Sequence, residues 1–108
     1  MVLYLAGPYR GDIDANITAA RKVAIELWER GYTVICPHLN TAHFEVDCNL
    51  PESEYIRRDL EILSRCDAIV MLPGWEKSEG ACAELDYALI DRDDILVYYS
   101  ADDLDGVM

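Results

Sequence analysis

Val2-Leu3-Tyr4-Leu5-Ala6-Gly7-Pro8-Tyr9-Arg10-Gly11 runs through apolar residues without alternation and then breaks into a glycine-bracketed turn. Unbroken hydrophobicity over a segment this short is what a strand covered on both faces requires, the condition of a parallel sheet under helices. Farther along the chain, Thr33 to Cys36, Ala68 to Leu72 and Ile95 to Tyr98 repeat the pattern. Between the first two runs, Asn16 is expected to cap a helix whose stripe is Ile17, Ala20, Val23, Ala24, Leu27 and Trp28 and which stops at Gly31. A second helix is expected from about Ser53 to Arg65, after Pro51, and a third from about Gly80 to Asp91 with Ala81, Leu85, Ala88 and Leu89 on one face. Strands alternating with helices imply right-handed crossovers and an α/β, three-layer α/β/α, doubly wound parallel sheet. Its simplest strand order is 2-1-3-4, the flavodoxin-like (Rossmann-like) arrangement. Strands 1 and 3 then lie side by side, the chain leaves them in opposite directions, and the crevice beyond their carboxyl ends is the expected ligand site.

The 108 residues suit one domain, expected over 1–108, and 52% apolar against 28% charged residues support a buried core. The formal net charge of −12 opposes nucleic acid polymers and anionic lipid but leaves open a small anion bound by backbone N–H groups and local cations. No apolar run approaches a membrane span and the start lacks a basic flank, so a cytoplasmic protein is expected. Cys36, Cys48, Cys66 and Cys82 lack CxxC spacing and read as free thiols. Cys36, His38, His43 and Cys48 form only an irregular set that straddles a strand end and a loop, and no metal is expected. The tail Ser100 to Met108 is acidic and small, expected either to fray or to dock on a partner subunit.

Two loops face the expected crevice. Gly7 and Gly11 bracket one that holds Arg10, a cation able to grip a phosphate while loop amides surround it; the alternative is a plain turn with a solvated arginine. The other, Pro73 to Gly80, ends in Ser78-Glu79-Gly80 at a helix N-terminus, which favours an anion, although Ser78 also suits an N-cap alone. Asp59 interrupts an apolar stripe of Tyr55, Ile56, Ile62 and Leu63, so burial should raise its pKa toward proton donation unless it is a structural acid paired with a loop. Glu84 lies about 6 Å along the third helix from Gly80, roughly the reach from a sugar phosphate to the anomeric carbon. Asp86 has equally apolar neighbours, and pattern alone does not choose between the two. His38 ends strand 2 as either a hydrogen-bonded loop residue or a ligand contact, and Tyr9 and Trp75 either stack on a base or pack on the loops. Ala81, Cys82, Ala83, Leu85, Tyr87, Ala88, Leu89 and Ile90 make the third helix apolar on nearly every face, so a homodimer or larger homo-oligomer is expected.

These residues together resemble the nucleoside 2-deoxyribosyltransferase-like superfamily, and within it a small family of phages and bacteria that carries no assigned function. The matching features are Tyr4-Leu5-Ala6-Gly7-Pro8 with Arg10-Gly11, Arg58-Asp59-Leu60, Cys66-Asp67-Ala68, Leu72-Pro73-Gly74-Trp75, and Ser78-Glu79-Gly80-Ala81 with Glu84 and Ala88. The Arg-Gly pair is similar to the 2′-deoxynucleoside 5′-monophosphate N-glycosidase branch, whereas Pro8 and Tyr9 depart from that branch's loop. The resemblance implies Glu84 as nucleophile, Asp59 as the acid near the base, and Tyr4 as the hydroxyl orienting the nucleophile. It further implies Arg10, Gly11, Ser78 and Gly80 as phosphate contacts and His38 beside the base, completing with Gly7 and Tyr9 the expected substrate-binding set. The expected activity is cleavage or transfer of the N-glycosidic bond of a 2′-deoxynucleoside or its 5′-monophosphate, without cofactor. The rival is a nucleotide-binding module or sensor that does not turn its ligand over.

Overall fold

The computed structural model describes residues 1–92 and 94–104. Its strands β1 (Val2–Ala6), β2 (Thr33–Ile35), β3 (Ala68–Met71) and β4 (Leu96–Tyr98) form one parallel sheet in the order β2-β1-β3-β4. Tyr4 pairs with Ile35 on one side and Ile69 on the other, and Ala6 pairs with Met71. The expected flavodoxin-like order therefore holds. Cys36, Leu72 and Ile95 fall just outside the strands: Cys36 instead precedes Pro37 as the cap of a short helix, α2 (Pro37–Asn40), because proline supplies no N–H to extend the ladder.

Side-chain alternation divides the interior. Leu3, Leu5, Ala68, Val70 and Leu72 face one core with Ala20, Ala24 and Leu27 of α1 (Ile13–Glu29). The loop after β2 folds into α2 and then α3 (Phe44–Asp47). Tyr4, Ala6, Ile69 and Met71 face the other core, with Leu63 of α4 (Glu52–Leu63) and Ala81, Leu85 and Ala88 of α5 (Glu79–Ile90). A period of two thus puts a tyrosine hydroxyl into the layer that holds α5.

Three sequence expectations need correction. The cap of α1 is Asp12, whose carboxylate accepts from the Ala15 N–H at 3.2 Å, so the helix starts a turn before Asn16. Asn16 then donates its side-chain amide to the carbonyls of Tyr9 and Arg10, both at 3.0 Å, and ties down the loop after β1. Trp28 is 55% exposed, because the stripe centred on Ala20, Ala24 and Leu27 turns it off the sheet. Helix α4 buries only Leu63 fully; Tyr55 and Ile56 are half-buried, since the N-terminal half of the helix leans over a cleft.

A 3₁₀ turn, Trp75–Lys77, precedes α5. A second 3₁₀ turn, Ala101–Leu104, places Leu104 in the α1-side core, where its carbonyl accepts from the Tyr32 hydroxyl at 2.9 Å. The acidic tail therefore docks on its own chain as far as Leu104, and the rest of the expected tail lies outside the described residues. Leu89, expected on the face of Ala81, Leu85 and Ala88, is instead exposed together with Ile90 at the end of α5, where the helix face packed on the sheet is Ala81, Leu85 and Ala88. Among the described residues, no helix is long and apolar enough to cross a membrane.

Candidate active site

At the carboxyl ends of β1 and β3, where the chain departs in opposite directions, lies a cleft of about 390 Å³. One wall is Gly7, Pro8, Tyr9 and Arg10, and the opposite one is Lys77 to Ala81 with Glu84. The roof comes from α2 and α3 through Pro37, His38, Thr41 and Glu45, and from one face of α4 through Glu52, Tyr55, Ile56 and Asp59.

The rotation of α5 decides which of its two candidate acids enters the cleft. Ala81, Leu85 and Ala88 pack on the sheet and bring Glu84 inward to near-complete burial, whereas Asp86 is exposed. Tyr4, wholly buried on β1, donates its hydroxyl to Oε2 of Glu84. Burial pushes the Glu84 carboxyl up to about 8; the Tyr4 hydrogen bond opposes this rise and the nearby Asp59 charge adds to it. Burial and the Glu84 charge hold the Tyr4 hydroxyl well above the usual phenol range, so it remains a donor. Asp59, half-buried on α4, is raised by burial to about 6. The cleft thus contains two carboxyl groups that feel one another, and the deeper one holds its proton more strongly.

Around this pair His38, Tyr9 and Arg10 are already engaged. His38 is buried and its Nε2 lies 2.6 Å from the Pro8 carbonyl, which only accepts, so Nε2 carries the proton. Its Nδ1 is 3.7 Å from the Cys36 thiol, and burial lowers the imidazole pKa. His38 is therefore a neutral brace for the β1 loop whose ring also lines the cleft. The Tyr9 hydroxyl donates to Glu45 at 2.5 Å and accepts the His43 N–H at 2.9 Å, while its ring meets His38 edge-on at 5.7 Å. Arg10 Nε donates to Glu52 Oε1 at 2.9 Å.

The glycines have separate duties. A Cβ on Gly7 would stand 2.6 Å from that of Leu72, so the crossing of the β1 and β3 exits admits only glycine. Gly11, at φ +98°, turns the loop toward α1 and does not line the cleft. A Cβ on Gly80 would meet nothing within 4 Å, which leaves open the space beside the α5 N-terminus. Ser78 is the N-cap of α5, accepting from the Ala81 N–H at 3.2 Å, and also lines the cleft. Trp75 packs near Tyr99 at 6.1 Å and is outside the cleft lining.

The structure therefore brings together Gly7, Tyr9, Arg10, His38, Asp59, Ser78, Gly80 and Glu84 along the cleft, with Tyr4 beneath Glu84. Sequence reasoning placed Lys77 in a loop facing the crevice without singling it out, and missed Thr41, Glu45, Glu52, Tyr55 and Ile56 as cleft residues. The signal for three of these was present, since 52, 55, 56 and 59 recur at the spacing of one helix face. All four cysteines are free, and among the described residues no group of three or more His, Cys, Asp or Glu side chains converges to hold a metal.

Comparison with known proteins adds two findings. Residues 1–97 match the family described as Domain of unknown function (DUF4406). Over 70 residues the chain is 34% identical to a protein of Thermofilum pendens (strain DSM 2475 / Hrk 5) named "Putative 2'-deoxynucleoside 5'-phosphate N-hydrolase 1". That match covers 65% of this chain and 48% of the relative, so it spans about half the relative's length.

Proposed function

The chain belongs to the DUF4406 family, and we propose that this member cleaves the N-glycosidic bond of a 2′-deoxynucleoside 5′-monophosphate or of the 2′-deoxynucleoside itself. The observation that carries the reading is the buried Glu84 carboxyl on the cleft wall, held by the Tyr4 hydroxyl and sharing the cleft with Asp59. The name of the partial relative, which describes removal of a base from a deoxynucleotide, supports the same kind of reaction.

In this reading a Glu84 oxygen bonds to C1′ while the bond from C1′ to the base nitrogen breaks. The bonding pair leaves with the base, which takes the Asp59 proton. Water, or a second base in a transfer reaction, then attacks C1′ and frees Glu84, and Asp59 recovers a proton from the attacking group. The working pair carries one proton and needs it on Asp59, whereas carboxyl groups near 8 on Glu84 and near 6 on Asp59 put it mainly on Glu84; the reactive form is the minority arrangement of the one-proton pair, whose population, and with it the rate, should peak between those values. Tyr4 orients the nucleophile and favours its ionised form. A 5′-phosphate would lie against the α5 N-terminus, over the open space at Gly80, with Arg10, Lys77 and the Tyr9 and Arg10 amides facing the same cleft. His38 and Tyr9 would border the base. No metal or organic cofactor enters the scheme.

Free cysteines support a reducing, cytoplasmic setting. The exposed Leu89 and Ile90 support a homodimer or larger oligomer, which sedimentation equilibrium at micromolar concentration tests; a monomer there rejects it. A second reading, a nucleotide sensor without turnover, draws on one observation: a carboxyl near 8 is mostly protonated at neutral pH and is then a poor nucleophile. Chromatography for free base, after incubation with a panel of deoxynucleosides and their monophosphates, separates the two. Base release that Glu84→Gln abolishes supports the enzyme, whereas thermal stabilisation by a nucleotide without release supports the sensor.

A further inference from the structure

The proposed reaction gives no role to Glu52, a charged side chain at the mouth of the cleft. Glu52 is the first residue of α4 and is separated from Arg10 by 42 positions in the chain. Its Oε1 nevertheless lies 2.9 Å from Arg10 Nε, and both residues line the cleft. The two side chains are 57% and 61% exposed, the arginine first, so the pair sits at the mouth and not in the floor. Five carboxyl-bearing residues, Glu45, Glu52, Asp59, Glu79 and Glu84, line the cleft against the cations Arg10 and Lys77. An arginine already neutralised by a carboxylate adds little net field for an incoming anion.

We infer that Glu52 sets the anion selectivity of this cleft by competing with the ligand's phosphate for Arg10. A carboxylate and a phosphate approach a guanidinium with similar geometry, so Glu52 acts as an internal stand-in for the phosphate. The pair is displaceable because both partners are exposed; a pair of this kind shifts an equilibrium by at most a factor of about five. Once displaced, the Glu52 side chain turns toward solvent, and a dianion gains the fork of Arg10 that the single carboxylate contact leaves unfilled. A neutral nucleoside gains nothing from the exchange. Glu52 is therefore a specificity-determining residue for the phosphate-bearing class of ligand. This inference rests on the proposed deoxynucleotide reading for its biological meaning, although anion binding itself tests it.

The experiment uses the full chain and inorganic phosphate as the probe, with binding followed through the NMR signal of the Arg10 side-chain N–H. In an Arg10→Ala background, where that signal is lost, backbone amide shifts of Tyr9 and Gly80 report binding instead. Glu52→Gln is expected to tighten phosphate binding about three- to fivefold. The control Glu61→Gln removes the same unit of charge from an exposed ion pair with Arg65, away from the cleft, and is expected to change binding less than twofold. With Arg10→Ala in place, Glu52→Gln should lose most of its effect. If base release is detected, Glu52→Gln should raise kcat/KM for the monophosphate by the same factor and for the nucleoside by less than twofold. Weaker phosphate binding in Glu52→Gln would make Glu52 a buttress of Arg10 and overturn the inference. An equal gain in Glu61→Gln would reduce it to general electrostatics and overturn it as well. Absence of base release from every substrate would sink the proposed reaction while leaving the phosphate titration to judge Glu52.

Discussion

Replacing Glu84 by Gln should stabilise the protein, and by an amount that grows with pH. The side chain is buried beneath the cleft and its carboxyl titrates near 8 in the folded chain, against 4.5 in an unfolded one. Between those values the folded state binds more protons than the unfolded state, so stability falls as pH rises through the window. Each tenfold difference in proton affinity between the two states is worth about 1.4 kcal/mol, which puts the ceiling on that loss at about 5 kcal/mol. Local relaxation around a charged Glu84 should reduce it to roughly 2–4 kcal/mol. The glutamine of Glu84→Gln has the same shape, still accepts the Tyr4 hydroxyl, and does not titrate. Asp59 is present in both proteins, and its own smaller decline with pH largely cancels from the comparison. Urea unfolding of both proteins at pH 5, 7 and 9, at fixed ionic strength, measures the difference. The two should be nearly equal at pH 5, and at pH 9 the variant should be more stable by roughly 2–4 kcal/mol, or about 8 °C or more in Tm. A difference that stays constant with pH, or a variant less stable at pH 9, would refute the desolvation of Glu84 on which the site is built.

Tyr4→Phe removes a hydrogen bond to a buried carboxylate worth about 1.5–3 kcal/mol, so the upper limb of the pH–rate profile should move from about 8 upward by about 1–2 units. The plateau should drop about 10- to 100-fold with it, and an unmoved limb would show that Glu84 does not set it. Asp59→Asn should slow base release about 10²- to 10⁴-fold, with partial recovery on a substrate whose leaving group needs no proton. No recovery would point to a structural acid. Arg10→Ala should reduce kcat/KM for the monophosphate about tenfold or more while affecting the nucleoside far less, and equal losses would reject a phosphate role for Arg10. Asp86→Asn, at an exposed position, should change stability by less than about 0.5 kcal/mol and leave base release within twofold; a loss matching that of Glu84→Gln would reverse the choice of nucleophile.

Local periodicity was enough to read the sheet. Unbroken apolar runs at Val2–Ala6 and Ala68–Met71 specify strands buried on both faces, and helices between them leave a parallel sheet with its crevice beyond β1 and β3. Asp59 stood out because a charge interrupts an amphipathic stripe, and the same spacing carried Glu52, Tyr55 and Ile56. Helix α5 offered no such contrast. It is apolar nearly all round, so its pattern contains no preferred rotation, and only packing of Ala81, Leu85 and Ala88 on the sheet turns Glu84 inward and Asp86 out. Partners distant in the chain were equally hidden. Tyr4 meets Glu84 across 80 positions, Arg10 meets Glu52 across 42, and His38 meets the Pro8 carbonyl across 30. Hydrophobic period and turn chemistry act within a few residues and fix elements, whereas the identity of a hydrogen-bond partner depends on how separate elements pack. The choice of which carboxyl is buried, which histidine nitrogens are occupied and which acid sits on the arginine was therefore made by the packing of those elements and could not be read from any one of them.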